Sequence, residues 1–519
     1  MLPVMSSPDG IVKHTTSSFG GYDIRETSQG AVNMTNMSSD DYPLMSVRGL
    51  RYKVSTPTAL TAFAAYDKTF YVAGTNFYYD GVVKGAVTAG AKAFAALNVY
   101  IIIMPDKKYY KPSDNTFGSL EALWTGTIAF ADGLLYGEAA VANAITTTGT
   151  AFPFIAGDAV KISGCVTHTA NNQTSIIREI SANAQSLYFY ENILEVGAEA
   201  GTVTLSRDVP AMDFICECNN RLWGCKGDTI YSSALGDPKN FNKFDGVATD
   251  SYAVDVGSAG DFTGCFSYLG YPIFFKEDSI YKVYGSKPSN YEAMASATMG
   301  AAIGSHLSFA IAGETLYYMS RAGIVAYTGG IPSNISAPFD GARYKNAVGG
   351  SDGVKYYISM QDSSDAWHLF VFDPRCSMWH REDATHVVGF GWFSNLYMAV
   401  ANGIWVIGNP IAPVGSVAET SLAWLYETGD ITEGDVNKKE IKKLQLRCEL
   451  DTGATLKLEI LYDSGSTWIL VKELTAAVKQ SYYLPVIPHR ADHFRLRLSG
   501  TGKVLLNSLT RDTAHGSEL

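Results

Sequence analysis

The most regular feature of the chain is a hairpin pattern that returns seven times. Each copy has an aromatic-rich apolar run, a short polar turn and a second aromatic or β-branched run, which is typical of two antiparallel strands. The last four steps between successive copies are 51, 43, 40 and 40 residues, close to the repeat of a four-stranded propeller blade. The copies begin at Phe70, Tyr100, Leu222, Ile273, Leu316, Tyr356 and Leu396. The pattern predicts an all-β chain folded as a β-propeller with six or seven blades.

One step is much longer, 122 residues between Tyr100 and Leu222, and it predicts an insertion. Within residues 120–208 a stretch of small residues is followed by four or five apolar runs of strand length. We expect a small β-domain of its own there, a barrel or a sandwich. Because an insertion projects from its blade, we also expect it to contact a neighbouring subunit or another protein.

The pattern changes again after Pro413. The runs lengthen and alternate strictly between apolar and polar residues, as in Thr455–Tyr462. Alternation with polar residues outward is typical of two packed sheets that each have one solvated face. It predicts a C-terminal β-sandwich over residues 413–519.

The first 60 residues are polar and turn-rich, and we interpret them as an N-terminal arm. Two isolated strands are predicted in it, at residues 23–25 and 50–54, and one of them could complete the last blade of the propeller. The blades themselves then occupy residues 61–119 and 209–412.

The composition and charge of the chain argue against some classes of function. Aromatic residues make up 12% of the 519 residues and there are 49 glycines, which suits many short strands joined by tight turns. Charged residues make up only 18% and the net charge is −11, so tight binding of DNA phosphates is disfavoured. No apolar run has the length of a membrane-spanning helix, and the N-terminus lacks the layout of a secretory signal. We expect a chain without a membrane segment, made in a cytoplasm.

Motifs for metals and cofactors are weak. The seven cysteines include Cys216 and Cys218, two apart on one strand, and form no C-x-x-C pair. Buried free thiols are the favoured interpretation, and a metal site or a disulfide is the alternative. Glycine pairs such as 349–350 lack the strand-to-helix context of a phosphate loop. No catalytic residue, cofactor or metal ligand is predicted, and the chain is predicted not to be an enzyme.

The densest ionisable cluster is His380, Arg381, Glu382 and Asp383, with His386 close by. A zinc site would need two histidines four apart on a helix, or a set of cysteines and histidines. A general acid pair is a further alternative. The interpretation that we favour is a solvated turn between blades.

Residues 463–468 resemble the D-x-G-x-T-W half of the Asp-box of sialidases, which would suit a carbohydrate-active propeller. The box is a turn that stabilises a hairpin, it occurs once here, and it lies in the predicted sandwich. We favour a structural turn over a sugar site, because Asp and Gly at a turn already have a local reason to be there.

The only strong basic run is formed by Lys438, Lys439, Lys442 and Lys443. Most charge runs are solvated faces. Because the rest of the chain is acidic, a basic patch is also the place for a charge-complementary contact, so we predict these lysines as a candidate subunit contact.

The order of arm, propeller and sandwich resembles the tail hub or nozzle proteins of short-tailed bacteriophages, also called packaged-DNA stabilisation proteins. The stretches that carry the resemblance are residues 21–25, 32–34, 42–44, 220–224, 235–241, 252–258 and 494–498. The resemblance implies a structural virion protein without a cofactor, present as a ring of six copies below the portal and adaptor. Such a ring would retain packaged DNA and let it leave without tight binding. Tail fibre or needle proteins would be further partners, and the ring would be assembled in the host cytoplasm.

The rival hypothesis is a carbohydrate-binding or carbohydrate-cleaving β-propeller used in receptor recognition. Trp379, Trp392 and Trp405 favour it, together with the partial Asp-box. An enzyme of this class needs two carboxylates or an arginine cluster that converge in space, which a sequence does not reveal.

Overall fold

The computed structural model describes residues 10–25, 30–134, 141–190, 193–408, 410–420, 422–434, 437–475 and 479–515. The chain divides into two compact units, residues 70–306 and residues 1–69 with 307–519. Within the described ranges the regular structure consists of β-strands and four single-turn 3-10 helices. These helices are Thr169–Asn171, Pro288–Asn290, His306–Ser308 and Ala337–Phe339.

Seven successive runs of strands in the described chain have the pattern of propeller blades, and we number them blades 1 to 7 in chain order. Blade 1 comprises Leu60–Ala65, Thr69–Ala73, Asn76–Tyr79 and Val82–Ala86, and blade 2 comprises Ala93–Leu97, Tyr100–Met104, Lys108–Lys111 and Thr116–Ser119. Blade 3 comprises Phe214–Cys218, Arg221–Lys226, Thr229–Ser232 and Tyr252–Asp255, and blade 4 comprises Gly264–Tyr268, Tyr271–Phe275, Ser279–Tyr284 and Glu292–Ala297. Blade 5 comprises Ala310–Ala312, Thr315–Ser320, Gly323–Tyr327 and Ser333–Asn334. Blade 6 comprises Tyr344–Ser351, Tyr356–Asp362, Trp367–Asp373 and Met378–Asp383, and blade 7 begins with Gly389–Phe393, Asn395–Val400 and Gly403–Ile407.

In the unit of residues 70–306, the first strands of blades 2, 3 and 4 pack side by side. Blades 3 and 4 share a core around the buried indole of Trp223, whose ring lies 6.3 Å from that of Phe274 and 5.2 Å from that of Tyr291. Aromatic side chains on facing sheets thus form one continuous core, as expected of stacked blades.

The same unit contains the inserted β-domain, with eight hydrogen-bonded strands between blades 2 and 3. Its strands are Ala122–Gly126, Ala129–Leu134, Val141–Thr146, Ala159–Ser163, Thr174–Ile180, Ser186–Phe189, Gly197–Ala198 and Val203–Arg207. It has its own apolar core, in which Ile145, Ile177 and Leu187 are fully buried. The exact limits of the domain, 120 and 208, stay a prediction.

In the other unit, the first strands of blades 5, 6 and 7 pack side by side in the same way. Blade 7 takes its fourth strand from the N-terminal arm, because Tyr52–Ser55 pairs with Gly403–Ile407, and Val417–Ala418 pairs outside it. The sequence left open which of the two arm strands, at residues 23–25 or 50–54, could complete the last blade, and in the structure Tyr52–Ser55 occupies that place.

The β-sandwich lies in the same unit and has two sheets, which we call sheet I and sheet II. Sheet I contains Ile11–Thr16, Met37–Ser38, Met45–Val47, Lys439–Leu450, Lys479–Leu484, Arg490–Ala491 and Val504–His515. Sheet II contains Ala31–Thr35, Ala423–Thr428, Thr455–Tyr462, Ile469–Leu474 and Phe494–Thr501. Four of these strands come from the N-terminal arm, so the sandwich is not built from residues 413–519 alone.

The predicted fold class is confirmed: the chain is all-β, with propeller blades, an inserted β-domain and a C-terminal β-sandwich. The predicted count of six or seven blades corresponds to seven in the described residues. The boundaries of the predicted domains stay predictions, and the first nine residues of the arm lie outside the described residues.

Candidate functional site

The N-terminal arm is fastened to blade 6 by buried ion pairs. The Arg51 guanidinium donates to the Glu382 carboxylate at 2.6 Å and lies 2.7 Å from that of Asp383. The Arg48 guanidinium donates two hydrogen bonds to the Glu419 carboxylate in a bidentate contact, at 2.9 and 3.0 Å. Burial lowers the pKa of Arg51, but the surrounding carboxylates outweigh burial and raise it, so the guanidinium stays charged.

A second polar cluster lies beside these ion pairs. The Lys355 ammonium is 2.5 Å from the Asp40 carboxylate. Burial raises the pKa of Asp40, but Lys355 outweighs that effect and holds the pKa below its usual range. Asp40 is therefore ionised at neutral pH.

The Ser39 hydroxyl donates to the Asp373 carboxylate at 2.5 Å and lies 2.8 Å from Nε2 of His380. Burial lowers the pKa of His380 to about 3, so its ring is neutral. Because the Ser39 proton is directed to a carboxylate, the imidazole does not act as its base. The chain of contacts lacks the order of a nucleophilic triad, in which the histidine lies between serine and carboxylate.

The two clusters enclose a polar cavity of about 20 Å³ between the arm, blade 6 and blade 7. It is lined by Asp40, Arg51, Lys355, Tyr357 and Gly408, among others. A space of this size holds about one water molecule. Every element around the cavity belongs to the same compact unit.

The indole of Trp392 is 51% exposed at the end of the first strand of blade 7. Leu396 pairs with both Trp392 and Ile407, so Gly408 lies at the same end of the blade as Trp392. A Cβ on Gly408 would come 3.5 Å from Oδ2 of Asp352. The exposed indole, the Asp352 carboxylate and the cavity with Asp40 and Lys355 therefore share one end of blades 6 and 7, which we call the Trp392 site.

The Trp392 site combines an exposed aromatic ring with fixed acceptors and a cation. Asp352 accepts hydrogen bonds from the amides of Val354 and Lys355 at 2.9 and 2.7 Å, so its carboxylate is held in place. Aromatic rings pack on apolar faces, and carboxylates accept hydrogen bonds from hydroxyl groups. This arrangement fits a ligand with one apolar face and many hydroxyls.

The favoured interpretation of residues 380–386 as a solvated turn is wrong for most of the cluster. His380 and Glu382 are buried on the last strand of blade 6, where Glu382 binds the arm. His386 is exposed and stacks on Trp367 at 3.8 Å. Because buried Glu382 and His380 contact Arg51 and Ser39 of the arm, we interpret these two side chains as a structural fastening of the arm.

The Asp-box-like turn lies in the sandwich, as its sequence position indicated. Among the described residues, the ligand atoms of Asp463, Asp492 and His493 lie within 4.8 Å of one another, so this group could hold a metal ion. His493 is 2.7 Å from the Ser464 hydroxyl, and the Arg497 guanidinium covers the Trp468 ring at 3.8 Å. One face of the partly exposed Trp468 ring is therefore occupied by Arg497.

The four lysines of the candidate subunit contact do not form one patch. Lys438, Lys442 and Lys443 are exposed, whereas Lys439 is buried and its ammonium donates to the Asp492 carbonyl. Lys442 lies 2.9 Å from Glu440. Lys439 is thus unsuited to a contact between subunits, and the contact itself stays a prediction for the other three.

The three tryptophans predicted for carbohydrate differ in exposure. Trp379 is buried and donates to the Ile335 carbonyl, Trp405 lies under the Lys53 ammonium, and only Trp392 of the three is more than half exposed. Asp352, Asp40 and Lys355 were missed, because they come together from segments more than 300 residues apart. No local pattern in the sequence signals that approach.

Comparisons with known proteins give no family for the chain. No protein-family model matches it, and no curated protein matches it. In the described residues, no helix has the length and apolarity needed to cross a membrane.

Several solved structures are similar to the chain at low identity. An exo-β-1,3-galactanase from Phanerochaete chrysosporium with galactose is 9% identical, with 55% of this chain and 92% of that chain covered and a TM-score of 0.21. The endosialidase of phage phi92 is 10% identical, with 79% and 70% covered and a TM-score of 0.25. A glycoside hydrolase family 43 arabinoxylan arabinofuranohydrolase from Bacillus subtilis is 10% identical, with 88% and 95% covered and a TM-score of 0.22.

The matched structures include glycoside hydrolases, and this finding contradicts the sequence-based prediction that the chain is not an enzyme. That prediction is withdrawn. No substrate and no catalytic residue is transferred from these structures to this chain.

Proposed function

We propose that the protein recognises carbohydrate through the Trp392 site, as a carbohydrate-binding or carbohydrate-cleaving β-propeller. The observation that carries the proposal is the half-exposed Trp392 indole, which lies at the same end of blades 6 and 7 as the fixed carboxylate of Asp352. A large exposed aromatic ring costs solvation free energy unless a ligand covers it, and binding sites use such rings as platforms.

In this proposal the indole packs on the apolar face of a sugar ring, and Asp352 and Asp40 accept hydrogen bonds from its hydroxyls. Lys355 keeps Asp40 ionised. If the bound sugar chain is cleaved, an ionised Asp40 has the role of base or nucleophile, and a second group with a raised pKa has to protonate the leaving oxygen.

The proposal is tested by screening the protein on a glycan array and measuring reducing-sugar release from the glycans that bind. Trp392→Ala is expected to weaken binding at least tenfold. Tyr190→Ala, which removes an aromatic ring of similar exposure (59% against 51%) from the inserted domain, is the matched control and is expected to bind normally.

Two results would overturn the proposal: a wild-type protein that binds no glycan, or a Trp392→Ala variant that binds like the wild type. Asp40→Asn separates the two forms of the proposal. If the variant binds glycan but no longer releases sugar, the wild-type protein cleaves its ligand. If the wild type releases no sugar and the variant binds like it, the protein only binds.

A ring-forming virion subunit, the tail hub or nozzle, is the second candidate. Its support is the edge strand Ile469–Leu474 of sheet II, where Ile469 and Leu470 are exposed on a strand that ends the sheet. Such an edge is a template for pairing with a second copy. The mass of the native particle tests it: about six chains favours the ring, and a monomer rejects it.

A further inference from the structure

We propose that the outer face of sheet I, in the β-sandwich, binds an acidic polysaccharide. This inference rests on the proposed carbohydrate recognition and adds to it a second surface and a ligand class. The surface is formed by four adjacent strands: Ile11–Thr16, Val504–His515, Lys439–Leu450 and Lys479–Leu484.

The strand register places cations in rows across this face. Asp512 lies on the strand between the other two, and its cross-strand partners are Lys13 on one neighbouring strand and Lys443 on the other. Arg447 lies four residues after Lys443 on the same face of the strand, and its cross-strand partners are Ser508 and Ser481. Lys13, Lys443 and Arg447 are all exposed. Lys13, Lys443 and Arg447 thus lie around Asp512, while Glu440 and Glu449 on the outer side of Lys439–Leu450 are paired with Lys442 and Lys479. Because each of these two glutamates has its own lysine, the three cations leave a local positive excess on a chain whose net charge is −11.

The row between these cations is uncharged and polar. Thr15, Thr510 and Gln445 follow one another across three strands, and the two threonine hydroxyls are 3.1 Å apart. Tyr483 continues the row on the fourth strand, is 64% exposed, and lies with its ring centre 4.4 Å from the Lys443 ammonium. Hydroxyls, an amide and an aromatic ring are groups that bind sugar hydroxyls and sugar rings.

The spacing of the cations favours a ligand with repeated charges. Successive same-face residues on a strand are about 7 Å apart, and neighbouring strands about 5 Å. Lys443 and Arg447 are therefore separated by roughly 14 Å along the strand, and Lys13 and Lys443 by roughly 10 Å across two strand spacings. One small anion does not reach all three, whereas a chain of acidic sugars does.

Other occupants fit this face less well. The centre of a protein interface is apolar and depleted of lysine, whereas the centre of this face is polar and flanked by lysines. DNA carries one negative charge per about 1.7 Å of helix axis, and three cations roughly 10 to 14 Å apart neutralise few of its phosphates.

The test measures binding of the full chain to immobilised hyaluronate, alginate and polysialic acid, with dextran as the neutral polysaccharide. Lys13→Gln, Lys443→Gln and Arg447→Gln are combined in one variant. The control variant combines Lys161→Gln, Lys226→Gln and Arg321→Gln, which removes the same charge from exposed positions outside the sandwich.

The expected result is binding of at least one acidic polysaccharide, none of dextran, and weakening by added salt. The variant of sheet I is expected to bind at least tenfold more weakly, and the control variant like the wild type. Tyr483→Ala, which leaves the charges in place, is expected to weaken binding by a smaller factor.

Binding of dextran alone, or equal loss in both triple variants, overturns the inference. A variant of sheet I that changes the native mass but not polysaccharide binding shows a second copy as the occupant. If Trp392→Ala abolishes glycan binding while the sheet I variant binds normally, the inference fails and the proposed function stands. If no carbohydrate binds at all, both fail.

Discussion

Blade 3 and blade 6 each depend on a buried arginine, and the two arginines are satisfied in different ways. Arg221 of blade 3 donates to the carbonyls of Ser233, Ala248 and Asp250, at 2.8, 2.6 and 2.5 Å. Arg51, which reaches blade 6 from the arm, is paired with the carboxylates of Glu382 and Asp383. Arg221 therefore satisfies backbone carbonyl groups, whereas Arg51 neutralises two carboxylates.

The difference follows from distance along the chain. The partners of Arg221 are 12 to 29 residues away, within the blade's own loop. The Glu382 partner of Arg51 is 331 residues away. Burial lowers the pKa of Arg221, whereas the carboxylates around Arg51 raise its pKa despite burial. Blade 3 is therefore locally self-sufficient, and blade 6 becomes complete only when the arm docks.

The largest effect is expected from Arg51→Met. The change leaves the buried Glu382 and the partly buried Asp383 without their main counter-ion, which costs about 3 to 5 kcal/mol of unfolding free energy. Urea unfolding of the variant measures it. Arg321→Met, at an exposed position of blade 5, is the control, and a loss at Arg51 no larger than in this control would contradict the role of the ion pairs.

A smaller loss is expected from Arg221→Met in blade 3. Three carbonyls lose their donor but no buried charge is left unpaired, so the cost is about 1 to 3 kcal/mol. The same urea experiment measures it. An effect larger than that of Arg51→Met would reverse the comparison, because local carbonyl contacts would then matter more than the long-range ion pairs.

The smallest effect is the pH dependence that His380 of blade 6 contributes to the stability. His380 is neutral in the folded protein with a pKa of about 3, whereas an unfolded histidine has a pKa of about 6.5. Between these values the unfolded chain binds more protons, so stability falls as the pH is lowered. From pH 6.5 to 5.5 we expect a loss of about 1 kcal/mol.

Asp373 contributes a second pH dependence of the stability, at lower pH. Burial raises its pKa, but hydrogen bonds from Arg375 and Ser39 outweigh burial and lower it to about 2. Its stabilisation is therefore complete above about pH 4 and is lost as the pH falls toward 2. Urea unfolding of His380→Gln at pH 6.5 and 5.5 separates the groups: a slope unchanged from the wild type would exclude His380 as its source.

The elements that local pattern determines were predictable from the sequence. Aromatic hairpins and their spacing predicted the blades, and period-two alternation predicted the sandwich strands. In the strand Lys439–Leu450, however, the register shifts between Ile441 and Lys443, so Lys439 lies on the buried face with Leu444. Alternation continued back from Leu444 would place Lys439 outward, so its burial was not predictable from the period of the strand.

The contacts made by the arm were not predictable in this way. The pairing of Met45–Val47 with Val504–His515, and of Arg51 with Glu382, joins segments that no sequence period connects. The candidate site has the same difficulty, since Asp40 comes from the arm and Asp352 from blade 6.

The pairing of the first strand with the last has a consequence for how the protein is made. Thr15 leaves the ribosome 495 residues before its partner Thr510. At about 5 to 20 residues per second, the arm waits roughly 25 to 100 s for the strand that it pairs with. During that time Met34, Met37 and Met45, all buried in the finished sandwich, have no core to enter. The nascent chain must therefore keep its first apolar strands from aggregating until its last strand is synthesised.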